Sequence, residues 1–207
     1  MEKDKALAYA KKCINKEPMP SSLKREFVRN GWGELLEKAY RRTAELVMEH
    51  ENVSKAQMAH LEQILPCIAF YEVLLKKEGS KDKALAVFEK WCFLKIEKMA
   101  KMIPILMKIP GMHKKVPGIM RVMLDKVFGH AAGFEFVEVE QENGFAVNMV
   151  VCPYVETCKK HGCPELTQFF CKSDDICYGN MHPRLVWGRS KTLGMGGDCC
   201  DFKLWVK

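Results

Sequence analysis

The sequence predicts an α+β fold, an N-terminal helical layer followed by a small antiparallel β-sheet. Three observations carry this prediction. Apolar residues recur at helical spacing from Ser21 to about Phe128, the period changes to two at Gly133, and an Asn143-Gly144 turn separates two alternating segments. A chain of 207 residues can bury a substantial core, and it reads as one domain over residues 1–207. Residues 1–130 are its mainly helical part, and residues 131–207 are the antiparallel sheet part.

Ser54-Lys-Ala-Gln57 has the form of a capping box, in which the serine hydroxyl takes a backbone N–H of the first turn. The segment after it is apolar on almost every side until Lys76-Lys-Glu-Gly79 stops it. That pattern marks a central buried helix, with a bend expected at Pro66. Ser80 is placed to cap a second helix, where Leu85, Phe88, Cys92, Ile96, Met99 and Ile103 fall at three- and four-residue steps with lysines opposite. Pro104, Pro110 and Pro117 punctuate the next stretch. Ile119, Met120, Met123, Val127 and Phe128 then form the apolar side of a short helix with Arg121 and Lys126 outside. Methionine at that spacing is adaptable core filler more often than a ligand groove.

Phe134-Glu-Phe-Val-Glu-Val139 and Phe145-Ala-Val-Asn-Met-Val-Val151 flank Glu142-Asn-Gly144 and read as a hairpin. Two more strands are expected near Leu185 to Leu193 and Cys200 to Val206, joined by Gly194-Met-Gly-Gly-Asp198. A short helical connection over roughly Pro164 to Cys171 links the two pairs.

A hydrophobic content of 48% with 29% charged residues excludes disordered and collagen-like classes. Met1-Glu-Lys-Asp-Lys5 lacks the apolar core of a secretory signal, and its acidic residues suit a transit peptide poorly, so a soluble, cytoplasmic protein is expected. Ile64 to Leu75, about a dozen residues with Pro66 and Glu72 among them, is shorter than the roughly 20 that a bilayer needs, so no membrane span is expected. The formal charge of +7 is spread among glutamates along helical stretches, which a solvated helix surface explains. The expected partner is a small anionic molecule, with no nucleic acid and no membrane, and a homo-oligomer is left open.

Ten cysteines in a reducing compartment point to thiols, metal ligation or catalysis in place of disulfides. Seven lie in the last 56 residues, together with His161, His182, Asp174, Asp175, Asp198 and Asp201. Between Cys152, Cys158, Cys163, Cys171 and Cys177 the gaps are five, four, seven and five residues, which spells no zinc ribbon or finger. Cys13, Cys67 and Cys92 suit small buried apolar positions. Cys171-Lys-Ser-Asp174 has a sharper chemistry. Asp174 or His182 can polarise a thiol or a water, and Arg189 or Lys191 can hold a carboxylate. The plainer reading makes Asp174 a cap or turn residue and Arg189 a solvated strand residue, and spacing alone weighs the two equally. Gly194-Met-Gly-Gly-Asp198 lacks the lysine and hydroxyl of a phosphate loop and reads as a turn beside the site.

The order and spacing of Cys152-Pro-Tyr154, Gly162, Glu165-Leu166, Phe170-Cys171-x-x-Asp174, His182-Pro183, Arg189-x-x-Thr192, Gly196 or Gly197, and Cys200-Asp-Phe202 resemble the L-2-amino-thiazoline-4-carboxylic acid hydrolase family. Ala69-Phe-Tyr71 through Gly79 is similar to that family's apolar helix, which ends in a tyrosine, a Leu-Lys pair and a glycine. The resemblance implies a hydrolase that opens a small cyclic, cysteine-derived substrate at its amidine-type carbon to give an N-carbamoyl cysteine. Under it Cys171, Asp174 and His182 are the expected catalytic residues. Arg189, Thr192 and Asp201 are the expected substrate-binding residues, with Arg189 on the carboxylate. Water or an enzyme nucleophile must add to the carbon between nitrogen and sulfur, and an acid must protonate the leaving ring atom.

Two other classes compete. A small-molecule- or zinc-binding sensor module without catalysis would close Cys152, Cys171 and Cys200 around one ion, with zinc as its expected cofactor. An iron–sulfur or thiol redox protein rests on the cysteine count alone.

Overall fold

The segment that is apolar on every side folds as α4 (Lys55–Glu78), the central helix of the first of two units, Met1–Ile96 and Glu97–Lys207, in the computed structural model. The structure describes residues 1–207. The Ser54 hydroxyl accepts the Gln57 N–H at 3.0 Å, and Gly79, with φ of 63°, closes the other end, as a left-handed terminator should. Pro66 lies inside α4 without ending it. By length and composition α4 could cross a membrane, yet 67% of its most apolar window is buried within protein, the pattern of a core helix.

Around α4 lie α1 (Lys3–Lys16), α2 (Pro18–Arg29), α3 (Gly33–Glu49) and α5 (Lys81–Cys92). Ile64, Leu65, Ile68 and Phe70 of α4 are fully buried, and Phe70 meets Phe27 of α2 edge to face at 4.9 Å. Polar ties bind the same helices. Arg42 of α3 reaches both oxygens of Glu72 at 2.7 and 3.2 Å, and Tyr9 of α1 donates to Glu62 at 2.6 Å. The helical pattern begins earlier than Ser21, because α1 buries mainly small residues, Ala6, Ala10 and Cys13, that leave little hydrophobic rhythm.

The helix expected to run through Ile103 is instead broken. α5 ends at Cys92, Phe93 is buried at the break, and α6 (Leu94–Ala100) and α7 (Ile103–Leu106) follow. Pro104 sits in the first turn of α7, where its missing N–H costs nothing. α8 (Met112–Val127) starts well before Ile119 and carries Pro117 within it. Its inward line is Met112, Val116, Met120 and Leu124, which packs with Phe145, Val147 and Leu204, whereas Ile119 and Met123 are 50% and 45% exposed. Two apolar sides on one helix make its phase unreadable from spacing. Because α8 packs on the sheet, the second unit starts at Glu97 and not at the helix-to-sheet change near residue 131.

The sheet consists of β1 (Glu135–Val139), β2 (Gly144–Val151), β3 (Leu185–Gly188) and β4 (Cys200–Val206) in the order β1-β2-β4-β3, antiparallel throughout. Asn143, with φ of 54°, makes the predicted hairpin turn. The connection expected near Pro164 to Cys171 contains two helices, α9 (Pro153–Lys160) and α10 (Thr167–Tyr178). Pro153 opens α9 at a position that needs no N–H, and Phe169 and Phe170 bury one side of α10. β3 stops at Gly188 because the chain turns away at Arg189 and makes a short 3₁₀ turn at Leu193–Met195. No disulfide links the ten cysteines.

Phe70→Ala removes a fully buried ring and should cost about 3–5 kcal/mol. Urea unfolding followed by far-UV circular dichroism measures this as a lower midpoint.

Candidate functional site

Thr167, Cys171, Asp174, Asp175 and Tyr178 recur along α10 at steps of three and four and share one side of the helix. The chain after β3 and the first residues of β4 supply Arg189, Thr192, Gly194, Cys200 and Asp201.

Arg189 joins the two. Its side chain is only 8% exposed, and Nη2 donates to the Cys171 carbonyl oxygen at 2.5 Å and to Asp175 Oδ2 at 2.6 Å. Nη1 lies 3.5 Å from Asp174 Oδ2 and makes no hydrogen bond, and the guanidinium carbon stands 5.6 Å from the Phe202 ring centre. The other oxygen of Asp175 accepts the indole N–H of Trp187 at 3.0 Å. Asp175, not Asp174, is therefore the carboxylate that clamps the arginine, and Trp187 holds the clamp. Neither was legible from spacing, since the contact joins α10 to a strand end.

Hydrogen-bonding capacity is left over around Cys171. Arg189 Nη1, Thr167 Oγ1 and Thr192 Oγ1 are buried without hydrogen-bond partners. The Thr192 hydroxyl is near enough to the Cys171 thiol to favour its thiolate, without a hydrogen bond of ordinary geometry. Gly194 brings its backbone close against the Thr167 and Cys171 side chains. A Cβ there would stand 2.7 Å from Thr167 Cγ2 and 3.3 Å from Cys171 Sγ, so a side chain would force them to shift. Buried donors and hydroxyls with unused bonds are what a polar ligand takes up.

Burial pushes the Asp174 carboxyl up, Arg189 opposes this, Asp175 adds to it, and the group comes to rest at about 7. Its side chain keeps 36% of its surface, so the carboxyl is only partly buried and water reaches it. Cys171 is also raised, first by burial, against the pull of Arg189. Burial pushes Cys152 up to about 12 and Cys200 up to about 11. The Cys200 sulfur accepts the Leu193 N–H at 3.2 Å. All three thiols are thus held protonated at neutral pH, and no group of three or more His, Cys, Asp or Glu side chains is arranged to hold a metal ion.

Two predicted site residues do other work. Asp201 accepts from Ser190 N and Lys191 N, both at 2.8 Å, and from Ser190 Oγ at 2.7 Å. Its oxygens accept from the turn that presents Arg189 and Thr192, so it positions that turn. Burial would raise Asp201, but these donors outweigh it and hold it at about 2. His182 stacks on His113 of α8 at 4.3 Å, and its Nδ1 accepts the Arg184 N–H at 3.1 Å. Its partners are thus His113 and Arg184, and it is not drawn into the Cys171–Asp174–Arg189 group.

In the first unit, a cleft of about 690 Å³ is lined by Leu35, Lys38, Arg42, Glu72 and Lys77 among others. It holds none of the predicted site residues, and its central Arg42 is already committed to Glu72.

A family model described as L-2-amino-thiazoline-4-carboxylic acid hydrolase matches residues 57–204, well over half of the chain. No curated protein and no solved structure matches it.

Asp201→Ala removes three hydrogen bonds to a carboxylate and should cost about 3 kcal/mol in urea unfolding. Because the folded group lies below the ordinary aspartate range, its stabilisation is complete above that range and is lost as pH falls through it towards about 2. A pH series of unfolding should show this acid loss in the parent chain and not in the variant. Gly194→Ala places a methyl against Thr167 and Cys171 and should cost about 1–3 kcal/mol in the same assay.

Proposed function

The chain belongs to the L-2-amino-thiazoline-4-carboxylic acid hydrolase family, and from that membership and the Arg189 cluster we propose that it hydrolyses a small cyclic thiazoline carboxylate at the amidine-type carbon. The observation that carries this is a buried guanidinium with one nitrogen still without a hydrogen bond, beside a carboxyl poised near neutrality. An anionic substrate offers the partner that Arg189 Nη1 lacks, and the hydroxyls of Thr192 and Thr167 supply further bonds.

With the substrate carboxylate on Arg189, ionised Asp174 takes one proton from water as the water oxygen bonds to the carbon between nitrogen and sulfur and the C=N π pair moves onto the ring nitrogen. The remaining hydroxyl proton passes to that nitrogen as the carbonyl forms, the ring carbon–sulfur bond breaks with its electron pair on sulfur, and Asp174 returns its proton to the sulfur. The product is an N-carbamoyl cysteine, one water heavier than the substrate. General acid–base work of this kind needs a group that titrates near the working pH, which Asp174 provides. The raised thiol of Cys171 favours water over sulfur as nucleophile.

Asp174→Asn should lower turnover of 2-amino-thiazoline-4-carboxylate by about 10²–10⁴-fold, with the thermal midpoint nearly unchanged. Cys171→Ser should stay within about tenfold of the parent. In the parent, kcat/KM should rise through a pH of about 7 as Asp174 ionises, and this inflection should vanish in Asp174→Asn. An Asp174→Asn enzyme of parental rate would remove the acid–base assignment. Tight binding of the thiazoline with no turnover by the parent chain would instead mark a small-molecule-binding module built on the same arginine.

A further inference from the structure

The stretch from Glu97 to Lys126 departs from the rest of the second unit in two ways. First, it is apolar on the outside. Ile105, Leu106 and Ile109 in and after α7 are 54%, 58% and 51% exposed. On α8, Ile119, Val122 and Met123 are 50%, 54% and 45% exposed, outside the Met112–Val116–Met120–Leu124 line that packs on the sheet. Lys115, Ile119, Val122 and Lys126 follow one another at steps of three and four, so this outer stripe is apolar with a lysine at each end. Exposed large apolar side chains grouped on neighbouring elements mark an interaction surface, whereas scattered ones do not.

Second, it is basic. Residues 97–126 carry seven lysines or arginines against two acidic residues, whereas residues 127–207 carry eight against ten. Arg121 pairs with Glu138 at 2.6 Å, but the six lysines have no ion-pair partner. The charge that appears evenly spread along the sequence is thus concentrated, within this unit, on the segment with the exposed apolar side chains.

We propose that α7 and the outer side of α8 form an interfacial anchor that lies on an anionic lipid bilayer, with the apolar side chains in the headgroup boundary and the lysines on the lipid charges. Exposed apolar and cationic side chains on the same segment suit that partner, and long lysine side chains can bury their stems while their ammonium groups stay at headgroup level. A second copy suits it poorly, since pairing this face with itself opposes two sets of unpaired lysines. The negative balance of residues 127–207 turns the sheet side away from an anionic surface. The expectation of no membrane rests on the lack of a spanning segment and on lysines scattered among glutamates; a helix lying in the interface needs no span, and over residues 97–126 the lysines are not matched by acidic residues.

The test is flotation of the full chain with phosphatidylcholine vesicles, with and without phosphatidylserine. Binding is expected to the anionic vesicles alone and to fall as salt rises. Lys114→Ala with Lys115→Ala should weaken it about 30-fold, and Leu106→Ser with Ile109→Ser about tenfold. All four side chains are exposed, and unchanged thermal midpoints establish that the variants fold. Absence of flotation with phosphatidylserine vesicles at low salt would overturn the proposal. So would binding that the Leu106/Ile109 variant leaves intact, or a vesicle-free dimer that the same variant dissolves.

Discussion

Burying one guanidinium constrains the second unit. A charge taken out of water must find partners on the protein, and removing one of them is costly because the other is left uncompensated. Arg189 finds the Cys171 carbonyl and Asp175 on α10, and Trp187 of β3 engages the second oxygen of the same carboxylate. These contacts bind α10 to the end of β3, which brings Thr167, Cys171 and Asp174 towards the turn that carries Thr192 and Gly194. The Asp201 clasp on Ser190 and Lys191 holds that turn from below, with hydrogen bonds to a charged acceptor that are individually strong.

Two adjacent carboxylates serve different ends. Asp175 completes the arginine's hydrogen bonding, whereas Asp174 stands a little beyond hydrogen-bond reach and is left at about 7 by burial. Successive helical residues point about 100° apart, so one side chain can meet the arginine squarely while its neighbour faces the space beside it. Burial raises the thiols of the cysteines around them, and no three His, Cys, Asp or Glu side chains are arranged to hold one ion.

The elements that were legible are those whose signals are local. The Ser54 cap, the Gly79 stop and the Asn143-Gly144 hairpin each depend on a few consecutive residues and their dihedral preferences. Errors arose where the pattern was ambiguous. α1 buries alanines that carry little hydrophobic contrast, and the break at Phe93 is filled by a buried apolar residue that periodicity reads as continuation. On α8 an outward apolar stripe competes with the inward one, so spacing alone assigned Ile119 and Met123 to the core.

The sequence by itself determined the order of helices and strands, the cysteine- and aspartate-rich end that holds the candidate site, and Cys171, Asp174 and Arg189 as candidates within it. These are properties of composition, local conformational preference and residue order. Only tertiary structure decided that Asp175 and Trp187 hold the arginine, that Asp201 clasps a turn, that His182 stacks on His113, and that the Gly194 backbone lies close against Thr167 and Cys171. Each joins residues from different elements or connections at a distance of a few ångströms. Spacing along the chain carries no information about such distances until the sheet register and helix packing are set.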